Sequence, residues 1–218
     1  MKIKEVIVWG GTGQAKLVRP IIEKMGAKVV AVIDDTKDLK APFKDIALLW
    51  GEKGLTVWLK NRKSKKDLGF CIAIGNPHGA VRLKLATLLK GYGLKPFDVI
   101  HDKAIVAHDV IYAEGVQILA GSVIGPEVRM GAQCIINANA SVDHECRLAD
   151  AVEIGPGATL CGCIVVGKNA WIAAGATVLP RITIGSNVIV GAGAVVTKDV
   201  PDGAIIVGVP AAPINKKK

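Results

Sequence analysis

The second half of the chain carries a six-residue repeat, which constrains its fold more than any other feature. From Val106 to Val196 every sixth residue is apolar, and the phase does not slip. A small or aliphatic residue follows four positions after each, from Val110 to Val200. This period fits neither an amphipathic helix, which repeats at about 3.6 residues, nor a two-faced strand, which repeats at about two. It predicts a solenoid of short parallel strands with three repeats in each 18-residue coil.

The composition agrees with such a solenoid. The 218 residues include 25 glycines but only three Phe, four Trp and two Tyr, while half of the chain is apolar. A core so poor in rings has to be built from small aliphatic side chains, and flat walls of six residues leave little room for aromatic groups. An ordered chain with an aliphatic core is therefore expected.

The first half alternates between strands and helices. An apolar run over 3–9 leads into a Gly-rich turn at 10–15, which is followed by apolar residues at helical spacing and by a second strand at 29–33. Such a βαβ unit directs backbone N–H groups and a helix N-terminus toward a phosphate. We therefore predict a Rossmann-like α/β domain over 1–98 and a solenoid of parallel strands over 99–218, which the family resemblance given below implies is a left-handed parallel β-helix.

A nucleotide site is predicted where the strands of the first domain end, because ligands of open α/β sheets bind there. The turn lacks the second glycine of the dinucleotide fingerprint, so simple turn chemistry is the alternative. Residues 1–100 hold 19 Lys/Arg against 9 Asp/Glu, a charge that suits a diphosphate. The basic stretch 60–66 lacks interleaved aromatic residues, so no nucleic acid is expected. The candidate nucleotide-binding residues are Gly10, Thr12, Gly13, Gln14, Asp34, Asp35 and Asn76.

The cellular location is predicted from two kinds of segment that are not recognised in the sequence, a signal peptide and a membrane span. The apolar start is too short for a signal-peptide core, and no uncharged stretch approaches the roughly 20 residues of a membrane span. An odd number of cysteines, five, argues against a disulfide framework. We expect a cytoplasmic protein without a membrane span.

Residues that are 18 positions apart stack on neighbouring coils of the predicted solenoid, and one such column contains candidate catalytic residues. His144 lies one coil below Gly162 and three coils, roughly 14 Å, below Lys198. An imidazole base, a backbone N–H for an oxyanion and a cation for a phosphate are what a thioester-using transferase needs. Asp143 and Glu145 flank the histidine, and either can orient its ring. The alternative is an ordinary surface histidine.

The repeats resemble a known family. Ile154-Gly-Pro-Gly-Ala-Thr and Ile184-Gly-Ser-Asn-Val-Ile look like the hexapeptide of left-handed β-helix acyltransferases. With the Gly-rich turn, Ser141-Val-Asp-His-Glu-Cys and Thr197-Lys-Asp-Val-Pro, nearly the whole chain resembles the NeuD/PglD-type sugar O-/N-acyltransferases. The resemblance implies an acetyl-CoA-dependent N-acetyltransferase acting on a nucleotide-linked amino sugar, for example a UDP-4-amino sugar. An O-acetyltransferase of a sialic-acid-like sugar and a non-catalytic nucleotide-sugar-binding solenoid are the alternatives.

The resemblance also implies roles for individual residues and a homotrimer with active sites between neighbouring solenoids. His144 matches the general base, Glu145 its assistant, Gly162 the amide at the acetyl carbonyl, and Asn137 a polar residue near the acceptor. Glu153 stands where the family often has a second histidine, and we place it on the acceptor side; Thr12 and Gln14 replace the usual Gly and His. The residues expected to contact CoA are Gly162, Ala174, Gly175, Gly191 and Lys198.

Two other functions fit less well. A carbonic anhydrase of the γ type needs three histidines around zinc, whereas His108 and His144 stand two coils, about 10 Å, apart. We therefore expect no metal cofactor. A dehydrogenase explains only the Gly-rich turn and leaves the solenoid without a purpose.

Overall fold

The computed structural model describes residues 3–75 and 77–214, which form two compact units. One unit holds the chain up to Gly75 together with Lys84–Val99. The other holds the intervening segment up to Leu83 and the chain from Ile100 onward. The predicted boundary at 98/99 lies next to the end of the first unit. The sequence did not predict that the segment before Leu83 groups with the solenoid.

The first unit is built on a five-stranded parallel sheet in the order β3-β2-β1-β4-β5. The central strands β1 and β4 are largely apolar because both faces of a parallel sheet are covered there, and β4 is buried along its whole length. Among the described residues, no helix has the length and apolar character that crossing a membrane requires. The elements are β1 Glu5–Trp9, α1 Gly13–Lys24, β2 Lys28–Asp34, β3 Leu48–Trp50, α2 Gly51–Lys60, β4 Leu68–Ile72, α3 Gly79–Gly91 and β5 Lys95–Pro96.

The second unit is a solenoid of parallel strands, as the repeat predicts, and a left-handed β-helix, as the family resemblance implies. Its strands are β6 Val99–Ile100, β7 Ile105–Val106, β8 Ile111–Tyr112, β9 Gln117–Ile118, β10 Val123–Ile124, β11 Arg129–Met130, β12 Ile135–Ile136, β13 Ser141–Val142, β14 Arg147–Leu148, β15 Glu153–Ile154, β16 Thr159–Leu160, β17 Val165–Val166, β18 Trp171–Ile172, β19 Thr177–Val178, β20 Thr183–Ile184, β21 Ile189–Val190, β22 Val195–Val196, β23 Ile205–Val207 and β24 Ala212–Pro213.

These strands form three sheets. Sheet 1 contains β7, β10, β13, β16, β19 and β22; sheet 2 contains β8, β11, β14, β17 and β20; sheet 3 contains the rest. Ser141 pairs with Thr159, and Thr159 pairs with Thr177, so each coil has 18 residues. The predicted coil length is confirmed.

The predicted inward positions fill the core of the solenoid. Ile154, Ala158, Leu160 and Ile164 are all fully buried, and nearly all of the cluster they join is aliphatic. At the corners between sheets, every sixth residue from Gly115 to Gly193 takes a positive φ, and these residues are not all glycines. Glu145 (φ 59°) and Cys163 (φ 61°) occupy such positions one coil apart. Polar side chains such as Glu145 are therefore found at the corners.

Candidate active site

His144 lies on a corner that joins sheet 1 to sheet 2. Its Nδ1 is 2.9 Å from Oε2 of Glu145, and its side chain is about half exposed. Asp143 instead accepts the backbone N–H of His144 at 2.7 Å through Oδ1. The structure thereby assigns Glu145 as the ring's partner, a choice that the sequence left open. Because a carboxylate only accepts, Nδ1 of the neutral ring donates and Nε2 keeps a lone pair.

Gly162 stands directly above this ring. A Cβ atom on Gly162 would lie 2.3 Å from Nε2 of His144 and 2.5 Å from its Cε1. A side chain at this position would displace the His144 ring, so the observed ring position depends on glycine. The predicted stacking of His144 and Gly162 is confirmed; the contact of the Gly162 amide with an acetyl group stays a prediction. We call His144, Glu145, Gly162 and Cys163 the His144 corner.

Hydrogen bonding sets the charges at this corner. The bond from His144, followed by one from Cys163, lowers the pKa of the Glu145 carboxyl. Burial and the neighbouring Glu145 raise the pKa of the Cys163 thiol. Glu145 is therefore ionised where an imidazole is neutral, so it can hold the ring and stabilise the imidazolium that a base becomes.

The residues predicted to contact CoA do not gather on one corner of the chain. Lys198 is exposed and belongs to the same column as His144 and Gly162, because β13, β16, β19 and β22 stack in one sheet. Ala174 and Gly175 lie on the corner between sheet 3 and sheet 1, and Gly191 follows β21 of sheet 3. In a single solenoid, Gly162 and Lys198 therefore lie apart from Ala174, Gly175 and Gly191. That all five residues contact CoA stays a prediction.

A second polar cluster lies half a coil from His144. The Arg82 side chain, 1% exposed, donates to Oε2 of Glu153 (3.0 Å) and to the carbonyls of Ala151 (2.9 Å) and Gln133 (3.1 Å). Asn137 Nδ2 donates to Oε1 of Glu153 at 3.2 Å. Burial lowers the pKa of Arg82, and the charge of Glu153 opposes that shift. We call these five residues the Arg82 network.

The Arg82 network changes the interpretation of two predicted residues. Asn137 and Glu153 are 6% and 4% exposed, and both bind within the protein. Their predicted place beside the acceptor is untested and stays a prediction. The sequence analysis missed Arg82, although an arginine between Val81 and Leu83 in an apolar helix indicates a buried partner.

The segment that carries Arg82 is fixed to the solenoid wall. The Ala80 N–H donates to Oδ1 of Asn169 at 2.8 Å, which satisfies an amide at the start of α3. A Cβ atom on Gly79 would lie 2.6 Å from the Ala151 carbonyl oxygen, so only glycine permits this approach. The backbone just before Arg82 is therefore held against Asn169 and Ala151, and from there the Arg82 side chain reaches Glu153.

The Gly-rich turn and the two aspartates meet, as the strand ends predict. Oδ2 of Asp34 accepts the Gly11 N–H at 2.6 Å, and its Oδ1 accepts the Thr36 N–H at 2.8 Å. Asp35 accepts Nε1–H of Trp9 at 3.2 Å. Position 10 requires glycine, because its φ is +111° and a Cβ atom would lie 2.2 Å from the Ala73 carbonyl oxygen. Asp34 thus builds the loop.

A cavity of about 210 Å³ lies beside this loop. Thr12, Gly13 and Gln14 form the start of α1, and the space around Gly13 is open. Asn76 lies outside the described residues. The sequence analysis missed most of the cavity's lining, because only the fold brings the residues after β2 against β3. Its lining is Asp34, Thr36, Asp38, Leu39, Leu48, Leu49 and Trp50.

Comparisons with known proteins cover both units. The PglD N-terminal domain model matches residues 5–89, and the bacterial transferase hexapeptide model matches residues 163–198. A structure of GDP-perosamine N-acetyltransferase from Caulobacter crescentus with CoA and GDP-perosamine is 33% identical, with a TM-score of 0.88 over 98% of both chains. The chain belongs to the PglD-type sugar acetyltransferases.

Two further members of the family show the range of similarity. The acetyltransferase domain of PglB from Neisseria gonorrhoeae, solved with acetyl coenzyme A, is 28% identical, with a TM-score of 0.85 over 97% of this chain and 100% of that one. GDP-perosamine N-acetyltransferase of Escherichia coli O157:H7 is 32% identical over 105 residues. That match spans 48% of this chain and about half, 47%, of the relative.

Family membership gives the departure at Glu153 a physical explanation. The sequence analysis expects a histidine there in many PglD-type enzymes, and this member has a carboxylate paired with Arg82. An unpaired buried carboxylate is costly, so Glu153 and Arg82 depend on each other.

Proposed function

We propose that this chain transfers the acetyl group of acetyl-CoA to the amino group of a nucleotide-linked amino sugar. One observation supports this most: a histidine held by a carboxylate at 2.9 Å, with its free Nε2 against a glycine one coil above. Relatives bound to CoA with GDP-perosamine, or to acetyl coenzyme A, support the substrate classes.

The proposed reaction is a direct acyl transfer. The sugar nitrogen attacks the thioester carbonyl, the C–N bond forms and the C–S bond breaks. His144 Nε2 takes the proton that the nitrogen loses, and the imidazolium returns it to the departing CoA thiolate. Glu145 stabilises the imidazolium through Nδ1–H. The amide of Gly162 is proposed to donate to the carbonyl oxygen as charge develops there.

Asn137 and Glu153 are proposed to lie on the acceptor side, with Glu153 acting through Asn137. The nucleotide is proposed to bind at the Gly-rich turn, with its phosphates at the start of α1 and its base in the adjacent cavity beside Trp50, which is 53% exposed.

A homotrimer is the proposed assembly. CoA contacts at two corners of one chain, Gly162 and Lys198 on one and Ala174 and Gly175 on the next, require two solenoids to meet. Exposed apolar residues on the walls, such as Ile111 and Val165, give such an interface apolar surface. Light scattering should give three chains per particle.

The protein is also proposed to be cytoplasmic. All five cysteines are unpaired, which supports a cytoplasmic setting.

The test is an acetylation assay with acetyl-CoA and either GDP-perosamine or a UDP-linked amino sugar, followed by mass spectrometry of the product. One acetyl group should be added to the amine of one of these sugars. A product acetylated on a hydroxyl, or none with any nucleotide-linked amino sugar, would contradict the proposal.

The nucleotide site has its own test. Asp35→Ala should raise KM for the sugar nucleotide and leave KM for acetyl-CoA nearly unchanged, because Asp35 belongs to the first unit. Equal changes in both constants would show that the binding site is placed wrongly.

A further inference from the structure

Three different metal-ligand atoms converge at the His144 corner. Nδ1 of His144, Oε2 of Glu145 and Sγ of Cys163 all lie within 4.8 Å of one another. The individual distances are 2.9 Å from Nδ1 to Oε2, 3.4 Å from Sγ to Oε2 and 4.0 Å from Sγ to Nδ1. Cys163 has no place in the proposed acetyl transfer.

The backbone holds these atoms in position. Cys163 lies one coil above Glu145, and its N–H donates to the His144 carbonyl at 2.9 Å. Both residues occupy left-handed corner positions with φ near +60°. The side chains of His144 and Glu145 are about half exposed, so solvent can supply a further ligand.

The distances suit zinc. Bonds of about 2.3 Å to sulfur and about 2.0–2.1 Å to nitrogen and oxygen, at tetrahedral angles, place ligand atoms about 3.3–3.6 Å apart. The three observed separations lie within roughly 0.5 Å of that range, which side-chain rotation can absorb. Imidazole with thiolate selects zinc over magnesium or calcium, which prefer oxygen. A thiolate and a carboxylate also balance the two charges of the ion.

We propose that His144, Glu145 and Cys163 bind Zn²⁺, and that the bound ion prevents His144 from acting as a base. The second part rests on the proposed function; the first does not. Asp143 adds negative charge to the neighbourhood, and Arg181 opposes the cation.

The inhibition follows from proton positions on the ring. In the free protein Nδ1–H donates to Glu145, and Nε2 has the lone pair. Zinc takes Nδ1, so the ring proton moves to Nε2, while the Cys163 thiol releases its proton to solvent. Imidazole remains neutral and one proton leaves per ion. Nε2–H then faces Gly162 and cannot accept a proton from the sugar amine.

Binding is tested without activity, using Co²⁺ as a spectroscopic probe for the zinc site. The full chain with Co²⁺ should show a thiolate-to-cobalt charge-transfer band, which added Zn²⁺ abolishes. Cys163→Ser should lose the band, and the matched control Cys161→Ser should keep it. Circular dichroism of both variants shows whether they fold. A missing band in the wild type, or a band that survives in folded Cys163→Ser, would overturn the site.

Inhibition is measured from the mass of the acetylated product. An assay of thiol release is unsuitable, because zinc also binds the thiol of free CoA. Zn²⁺ should lower kcat of the wild type by at least about tenfold, and a chelator should restore it. Cys163→Ser should turn over like the wild type without zinc and resist zinc. Full turnover of the zinc-loaded wild type would contradict the proposed inhibition, but it would not contradict zinc binding by His144, Glu145 and Cys163. No acetylation in metal-free wild type would instead contradict the proposed function, and the cobalt band would still report the site.

Discussion

Glu145 and Glu153 lie on the same coil, and their environments are opposite. Glu145 is about half exposed, and its carboxylate faces a histidine with a free ring nitrogen. Glu153 is 4% exposed, and its two oxygens contact Arg82 and Asn137. The first arrangement leaves a proton acceptor facing solvent, whereas the second uses its polar atoms within the protein. We thus propose that identical residue types serve chemistry at a corner and structure on a wall.

The difference arises from what covers each place. The His144 corner lies where sheet 1 passes into sheet 2, and Gly162 and Cys163 of the next coil lie against His144. The wall at Glu153 is covered by the segment 77–83, which delivers a buried arginine. Substitutions of His144, Glu145 and Gly162 should therefore change turnover, and those in the Arg82 network should change stability.

Replacing His144 has the largest expected effect. His144→Ala should lower kcat by about 10²–10⁴, the contribution of a general base, with little change in the free energy of unfolding. His108→Ala, an exposed histidine two coils below in the same column, is the matched control. Steady-state kinetics on both variants measures the contrast. Wild-type turnover by His144→Ala would remove the corner from the mechanism.

Glu153→Ala tests the structural half of the comparison. Because it leaves Arg82 buried without its carboxylate, the free energy of unfolding should fall by about 3–5 kcal/mol. Chemical denaturation measures this, and Glu145→Ala, at an exposed site, should change stability far less. Removing both charges with Arg82→Met and Glu153→Met should recover part of the loss. Equal losses for the two single alanine variants would contradict the assignment of roles.

Gly162→Ala introduces a methyl group 2.3 Å from Nε2 of His144. The ring must turn away from its position, so kcat should fall by about 10²-fold, as a displacement of this size does in other sites. The control is Gly91→Ala, where no neighbouring atom lies within 4 Å of the added group. If Gly162→Ala were fully active, Nε2 would not be the atom that accepts the proton.

Glu145→Gln has the smallest expected effect. Glutamine keeps an oxygen that accepts from Nδ1–H but loses the charge that stabilises an imidazolium, so kcat should fall about tenfold. The pKa of Glu145 is lowered, so its carboxylate is ionised at neutral pH and this charge is present in the wild type. Kinetics at neutral pH checks the value. A loss as large as that of His144→Ala would mean that the carboxylate takes part in the proton transfer itself.

The amino-acid sequence by itself determined the solenoid. Residues such as Ile154 and Leu160 recur at a fixed period, and a period of six has one simple structural solution, so strand positions, coil length and the stacking of His144 with Gly162 all followed by counting. The βαβ unit was equally local, since its turn and strands are contiguous. The spacing of apolar residues indicates which positions of a strand or helix are buried. The predictions of the strands, the coil length and the βαβ unit needed no other information.

Tertiary structure alone decided which polar groups meet. Arg82 and Glu153 are 71 residues apart, and no period links a helix to a solenoid wall. Asp143 and Glu145 are equivalent neighbours of His144 in the sequence, and only the left-handed φ at Glu145 brings its carboxylate to Nδ1. Cys163 reaches the same place by the same turn one coil above. Such contacts depend on side-chain directions at corners, and a pattern of apolar residues does not encode them.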